Sequence, residues 1–216
     1  MNYECKGFLI YYPNPSGADG SKIRDRVERG RVSLRYFLGD DQRPSRFFEG
    51  CVNDDRIVAI RSGEGMIGYA AFFLGDRGPL SPDFARFISE YGLIKGVGNF
   101  LLFRATEPRI DASTLYVYNI NIQLQHRGMG AGGALLDAVV ELAVSMGCRS
   151  VQLQVAAHNR AMMLYLRKGF VVTGAIRTGW FRRFFPFDCL VNMELRLDAK
   201  ASPWALPGVE TAVATA

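Results

Sequence analysis

Apolar and polar positions along this chain recur in two periods, and the switches between them mark out a mixed α and β protein. Short apolar runs over 8–12, 56–61 and 66–74 predict strands. Pro13 and Pro15 stop the first, because proline gives no amide N–H to a ladder. The other two flank Ser62-Gly63-Glu64-Gly65 and predict a hairpin, in which Gly68 marks a close backbone approach. Charged residues with spaced apolar ones predict a helix over 22–37 and a shorter one around 45–51. Ser81-Pro82-Asp83 has the composition of a helix start, and apolar residues follow at helical spacing to 106, with Gly92, Gly96 and Gly98 expected to break that helix into pieces. The order then runs through a strand over 114–122, a glycine turn, a helix over about 128–146 ended by Gly147, and a strand over 150–156. A helix over 159–168 ended by Gly169 and strands over 170–177 and 190–197 complete it.

Beyond Asp198 the periodicity is lost among Ala, Pro and Thr, so 199–216 is expected to be a flexible tail on a single domain over 1–198. A chain of 216 residues suits one well-buried core, and 49% hydrophobic with 22% charged residues excludes a mostly disordered protein. The 26 basic residues are answered by 21 acidic ones and form no long run, so the net charge of +5 suits a small polyanionic ligand and predicts no nucleic-acid partner. Four cysteines without a C-x-x-C pair, and two histidines in all, predict no structural metal site. Neither a secretory signal nor an apolar run of about 18 residues is present, which predicts a cytoplasmic protein with reduced thiols and no membrane span.

The candidate chemistry begins at Gln125-His126-Arg127-Gly128-Met129-Gly130, between a predicted strand and a predicted helix. A strand that feeds a helix through glycines is a ready anion site, because the first amide N–H groups of the helix have no intrahelical partner. Side chains at Gly128 or Gly130 would hold a diphosphate away from those amides, while Ala131, Gly132 and Gly133 keep the helix start slim. Arg127 and His126 add donors at the rim. Gly128, Gly130 and Gly133 also spell the dinucleotide fingerprint G-x-G-x-x-G, which wants an acid at the end of the next strand. Gln152 and Gln154 stand there instead, and no G-K-[ST] follows for a nucleoside-triphosphatase loop.

A second constellation follows at His158-Asn159-Arg160-Ala161-Met162-Met163-Leu164-Tyr165-Leu166-Arg167-Lys168-Gly169-Phe170. The turn matches [Q/R]-x-x-G-x-[G/A], and Ala161, Tyr165, Gly169 and Phe170 fall in register with N-x-x-A-x-x-x-Y-x-x-x-G-F. Together they cover about 120–172 and resemble the two signatures of the GNAT superfamily of acyl-CoA-dependent acyltransferases. The resemblance implies an α/β (α+β) fold, with a mainly antiparallel sheet of about seven strands splayed between 114–122 and 150–156 and flanked by helices. It also implies acetyl-CoA or another acyl-CoA as co-substrate, no metal, and N-acetyl transfer by direct attack of a primary amine in a ternary complex. The cofactor contacts it implies are Asn119 and Ile120 with the neighbouring Tyr118, then Gln125, His126, Arg127, Gly128, Met129, Gly130 and Ala131. His158 and Asn159 share one further contact position, since the family Asn aligned through Ala161 falls on His158. Tyr165 takes the role of general acid that protonates the departing thiolate.

Many members of the family also place a carboxylate beside the attacking amine. At the positions that correspond to two such placements this chain has Gln154 and Thr114, leaving Tyr118 and Gln154 as candidates to position a water. The implied acceptor is a small-molecule amine, with a peptide N-terminus or lysine as alternatives. The alternative of another class is a non-catalytic acyl-CoA sensor or interaction module of the same fold. Two segments stay open. Residues 75–109 carry Phe84, Phe87, Tyr91, Phe100 and Phe103, which serve either a hydrophobic acceptor or longer acyl chain or packing against the sheet. The aromatic and basic run 180–187 suits an acceptor pocket, a membrane surface, a homodimer contact or a loop with its rings turned inward.

Overall fold

The computed structural model describes residues 2–5, 7–14, 16–28, 38, 46–63, 65–177, 179 and 188–197. The expectations for 29–37, Ser45, Glu64, the run 180–187 and the tail 199–216 lie outside the described residues.

Strands β1 (Asn2–Cys5), β2 (Phe8–Tyr11), β3 (Ile57–Ser62), β4 (Gly65–Leu74), β5 (Thr114–Ile122), β6 (Ser150–Ala156), β7 (Val171–Arg177) and β8 (Cys189–Arg196) form one sheet. Its order is β1-β2-β3-β4-β5-β6-β8-β7. Every neighbouring pair is antiparallel except β5 with β6. About seven strands were expected, and β1, a four-residue strand, brings the described sheet to eight.

Among the described residues, helices with defined ends are α1 (Ala18–Glu28), α2 (Phe84–Thr106), α3 (Ala131–Ser145) and α4 (Ala161–Arg167). Helix α1 starts four residues before the predicted 22. Helix α3 starts at Ala131 and not at 128, because Gly128 and Gly130 sit at φ of 80° and 88°, outside helical space. In α2 the side chain of Asp83 accepts from the Arg86 amide at 2.7 Å and caps the start. Only Gly92 interrupts α2, with φ 74° and ψ 172°. Gly96 and Gly98 stay helical. A Cβ on Gly96 would lie 2.5 Å from the Phe87 carbonyl oxygen, so this glycine lets the two halves of the kinked helix close on each other.

The sheet lies between two apolar layers. On one face Leu135, Leu136, Val139 and Leu142 of α3 pack on Val58, Ile60, Phe72, Leu115, Val117, Val151, Leu153 and Val191. On the other, Ile23 and Val27 of α1 and Phe87 and Phe103 of α2 pack with Ile57, Ala59, Tyr69 and Ala71. Burial on both faces explains why β4 reads as a continuous apolar run. Gly68 is where β5 comes closest: an added Cβ would stand 2.5 Å from both the Asn121 carbonyl oxygen and Ile122 Cδ1. No helix among the described residues is long and apolar enough to cross a membrane.

Candidate active site

The parallel ladder between β5 and β6 is short. It pairs Thr114 with Ser150 through Val117 with Leu153 and then ends, although β5 runs on to Ile122 and β6 to Ala156. At the base of the ladder the buried hydroxyls of Thr114 and Ser150 meet at 3.1 Å. At its end the β4–β5 register slips by one residue: Ala71 pairs with Asn119 and Phe72 with Val117, so Tyr118 is an extra residue in β5. Such a bulge bends the strand that carries it. The bend and the end of the ladder coincide, and a cleft of about 1300 Å³ opens between the strands.

The loop after β5 is held from below. Gln123 donates its backbone N–H to Ile67 O at 2.9 Å and its side-chain amide to Met66 O at 2.6 Å. A single 3-10 turn over Leu124–His126 follows, and Arg127 Nε reaches back to Ile122 O at 3.0 Å. Gly128 and Gly130 then turn the chain into α3, whose N-cap, Gly130, carries no capping side chain. A Cβ at either glycine would meet nothing within 4 Å, so positive φ and an uncovered helix end, and not crowding, call for glycine here. That is the arrangement an anion needs.

Several predicted residues come together around the cleft: Tyr118, Asn119 and Ile120 on β5, Gln125 and Arg127 in the loop, Gln154 on β6, and Asn159 and Tyr165. His126, Gly128, Met129, Gly130, Ala131 and His158 do not line it. The Ala131 side chain is buried, so that residue can offer only its backbone to the helix end, and Met129 is exposed. Asn159 borders the cleft while its side-chain oxygen accepts from the Ala161 amide at 2.9 Å; exposed His158, one residue earlier, stands outside. Gln125 Nε2 is engaged with Gln123 Oε1 at 3.2 Å.

Tyr165 is 9% exposed, lines the cleft, and packs its ring 6.0 Å from that of Phe170. Burial pushes its phenol above the usual range, so it holds its proton at neutral pH. Gln154 donates to Asn192 Oδ1 at 2.8 Å across β6 and β8. The Tyr118 ring lies tilted 5.5 Å from that of Phe73, and Asn119 donates to the Tyr69 hydroxyl at 3.3 Å. Burial above all pushes Tyr69 up to about 12, with Arg26 opposing it.

The pattern of residues pointed to no carboxylate here, yet two border the cleft: Glu107, just past α2, and Glu194 on β8. Glu194 lies opposite Gln152, and Gln152 Nε2 donates to Glu194 Oε1 at 3.2 Å. Strand pairing beyond the signatures is what brings it in. Glu107 stands far from both signatures, and only the place where α2 ends puts it at the cleft; the sequence signal was the helix stop at Glu107-Pro108. The aromatic residues of 75–109 mostly serve the core. Phe87 and Phe103 are buried, Phe100 rests 5.5 Å from Phe87, and from this segment it is 105–109 that reaches the cleft. Among the described residues no group of three or more His, Cys, Asp or Glu side chains could hold a metal ion.

The family model described as "Acetyltransferase (GNAT) family" matches residues 29–170. Among solved structures, the ribosomal-protein-S18-alanine N-acetyltransferase from Escherichia coli is similar at 13% identity, covering 91% of this chain and 98% of that one, with a TM-score of 0.54. A GNAT-family acetyltransferase from Streptococcus pneumoniae is similar at 18% identity over 88% of this chain and 99% of that one, with a TM-score of 0.52. An N-acetyltransferase from Staphylococcus aureus Mu50 gives 16%, 88%, 99% and 0.53 in the same terms. Identities this low speak for the fold alone. No curated protein sequence matches significantly.

Proposed function

The chain belongs to the acetyltransferase (GNAT) family, and from that premise we propose that it moves an acetyl group from acetyl-CoA directly to the primary amine of a small molecule. The observation that carries this reading is the gap that opens after the Val117 to Leu153 pair, bordered by Gln125 and Arg127 of the loop that leads into the uncovered start of α3 and lined by Tyr165. A thioester donor needs these elements in that sequence: an anion site for its diphosphate, a slot with strand-edge hydrogen bonds for its arm, and a proton source for its sulfur.

In this reading the amides at the start of α3 and Arg127 hold the diphosphate. The backbone of Tyr118, Asn119 and Ile120, which follows the end of the β5–β6 ladder, binds the pantetheine arm and orients the thioester carbonyl. The amine nitrogen attacks the carbonyl carbon, the carbon–sulfur bond breaks, and the Tyr165 hydroxyl gives its proton to the leaving thiolate. The domain over 1–198 is the unit proposed to do this.

The test follows coenzyme A thiol release from acetyl-CoA across a panel of primary amines, alongside acetyl-CoA binding by calorimetry. Binding with amine-dependent thiol release is the expected result. Binding without release on any amine would favour a sensor or interaction module, and binding of NAD in place of acetyl-CoA would overturn the reading.

A further inference from the structure

An alkyl amine with the basicity of lysine, pKa about 10.4, is neutral in only about one molecule in 10³ at pH 7. The attack therefore needs a proton acceptor beside the amine. Gln154 and Thr114 cannot serve, and their partners in the fold, Asn192 and Ser150, cannot either.

Of the two carboxylates at the cleft, Glu194 accepts from Gln152 through Oε1 at 3.2 Å, while Arg196 Nε lies 3.8 Å from its Oε2, beyond hydrogen-bond reach. It also lies on β8, one strand away from the gap. Glu107 is placed differently. It borders the main cleft and also a small void lined by Phe73, Phe103, Thr106 and Tyr118, so its side chain, 16% exposed, stands beside the bulged residue where β5 leaves β6. One oxygen, Oε2, meets Arg104 Nη1 at 2.6 Å. From these positions we infer that Glu107 is the catalytic base that takes the proton from the acceptor's ammonium group. The inference rests on the acetyl-transfer reading of the cleft.

The surroundings suit that task. Burial pushes the Glu107 carboxyl above the usual carboxylate range, and the neighbouring Arg104 guanidinium only partly opposes this. Tyr118 on β5 shares the small void with it, and Tyr69, Tyr116, Arg26 and Arg109 are among the other charged or titratable groups that border the same cleft. A carboxylate raised in this way is a better base near neutral pH than a solvated one. The step balances as follows. One ammonium proton passes to Glu107 and on to solvent, and the freed lone pair forms the carbon–nitrogen bond as the carbon–sulfur bond breaks. A second nitrogen proton replaces the one that Tyr165 gives to sulfur, so the net products are the amide, coenzyme A and one proton.

The test compares the full chain with Glu107→Gln and Glu107→Asp, using acetyl-CoA with spermidine, tyramine and hydroxylamine. The first two are ammonium ions at pH 7, whereas hydroxylamine is largely neutral there. Glu107→Gln is expected to lower kcat/KM at least about 100-fold for whichever alkyl amine the wild type acetylates, and less than about tenfold for hydroxylamine. For the alkyl amines the acid limb of the pH profile should move up toward the amine's own pKa, about 10.4, acetyl-CoA affinity should stay within about twofold, and Glu107→Asp should recover part of the rate. Equal losses on neutral and protonated amines, or a wild-type pH profile in Glu107→Gln, would overturn the assignment to Glu107 while leaving the acetyl-transfer reading standing. Acetyl-CoA binding with no thiol release by the wild type on any probe would remove both.

Discussion

Lys168 Nζ lies 2.6 Å from both carboxylate oxygens of Asp137, which ties the short helix carrying Tyr165 to the helix that begins at the glycine turn. Gly133 sits under this contact, with Lys168 Cε 3.6 Å from where its Cβ would be. The pair joins the two signatures in space. Its side chains are 28% and 32% exposed, so solvent screens it in part. A double-mutant cycle with Lys168→Met and Asp137→Asn, followed by urea denaturation, should return a coupling of about 0.5–1 kcal/mol that shrinks as salt is added.

Replacing Tyr165 by Phe keeps the ring against Phe170 and removes the phenolic proton. Steady-state thiol release should fall at least about tenfold in kcat. Acetyl-CoA affinity, read by calorimetry, should change by less than about twofold, because the ring itself remains in place.

Gly130→Ala forces a Cβ into a left-handed backbone at φ 88°, at a cost of about 1–2 kcal/mol although nothing stands within 4 Å of the new atom. The protein relieves that strain by shifting the start of α3. Thermal unfolding should therefore show a lower Tm, and acetyl-CoA affinity should drop with it, since the amides proposed to hold the diphosphate move.

Gly68→Ala is a clash and not a strain. Its Cβ would press on the Asn121 carbonyl oxygen and Ile122 Cδ1, each at 2.5 Å, and β5 would have to move away from β4. The expected loss is about 1–3 kcal/mol in urea denaturation.

The raised Glu107 carboxyl also makes a prediction about stability. A folded-state pKa above the unfolded value, about 4.3, means that the fold favours the protonated acid. This contribution is complete below the unfolded pKa and is lost as pH rises through the folded one. Glu107→Gln imitates the protonated form, so its Tm relative to wild type should rise from acid toward neutral pH. Parallel pH-dependent melts of the two proteins would check it.

Contiguous residues made much of the site legible. Gln125 to Gly130 and Ala161 to Phe170 each lie on one turn or one helix, and β5 and β6 have the predicted ends, Thr114–Ile122 and Ser150–Ala156. What stayed hidden depends on distant contacts. Nothing in the alternation of Thr114 to Ile122 announces that Tyr118 is the extra residue, because that depends on Phe72 pairing with Val117. Gly96 carries the local signal of a helix breaker, yet packing against Phe87 keeps it helical. Strand β1 is too short for a periodic pattern. Glu107 reaches the cleft only through the path of α2 after its kink at Gly92.

The shortness of the β5–β6 ladder has a consequence for how such a site can be retuned. Four residue pairs join the two leaves of the sheet. Past them, Leu135, Leu136, Val139 and Leu142 of α3 hold the leaves together through apolar contact with both. Hydrogen bonds fix a distance, whereas apolar packing follows the volume of the side chains involved. The aperture of the slot is therefore a property of the hydrophobic layer beneath it. A methyl group gained or lost under α3 is expected to reset the slot without touching a residue proposed to meet substrate.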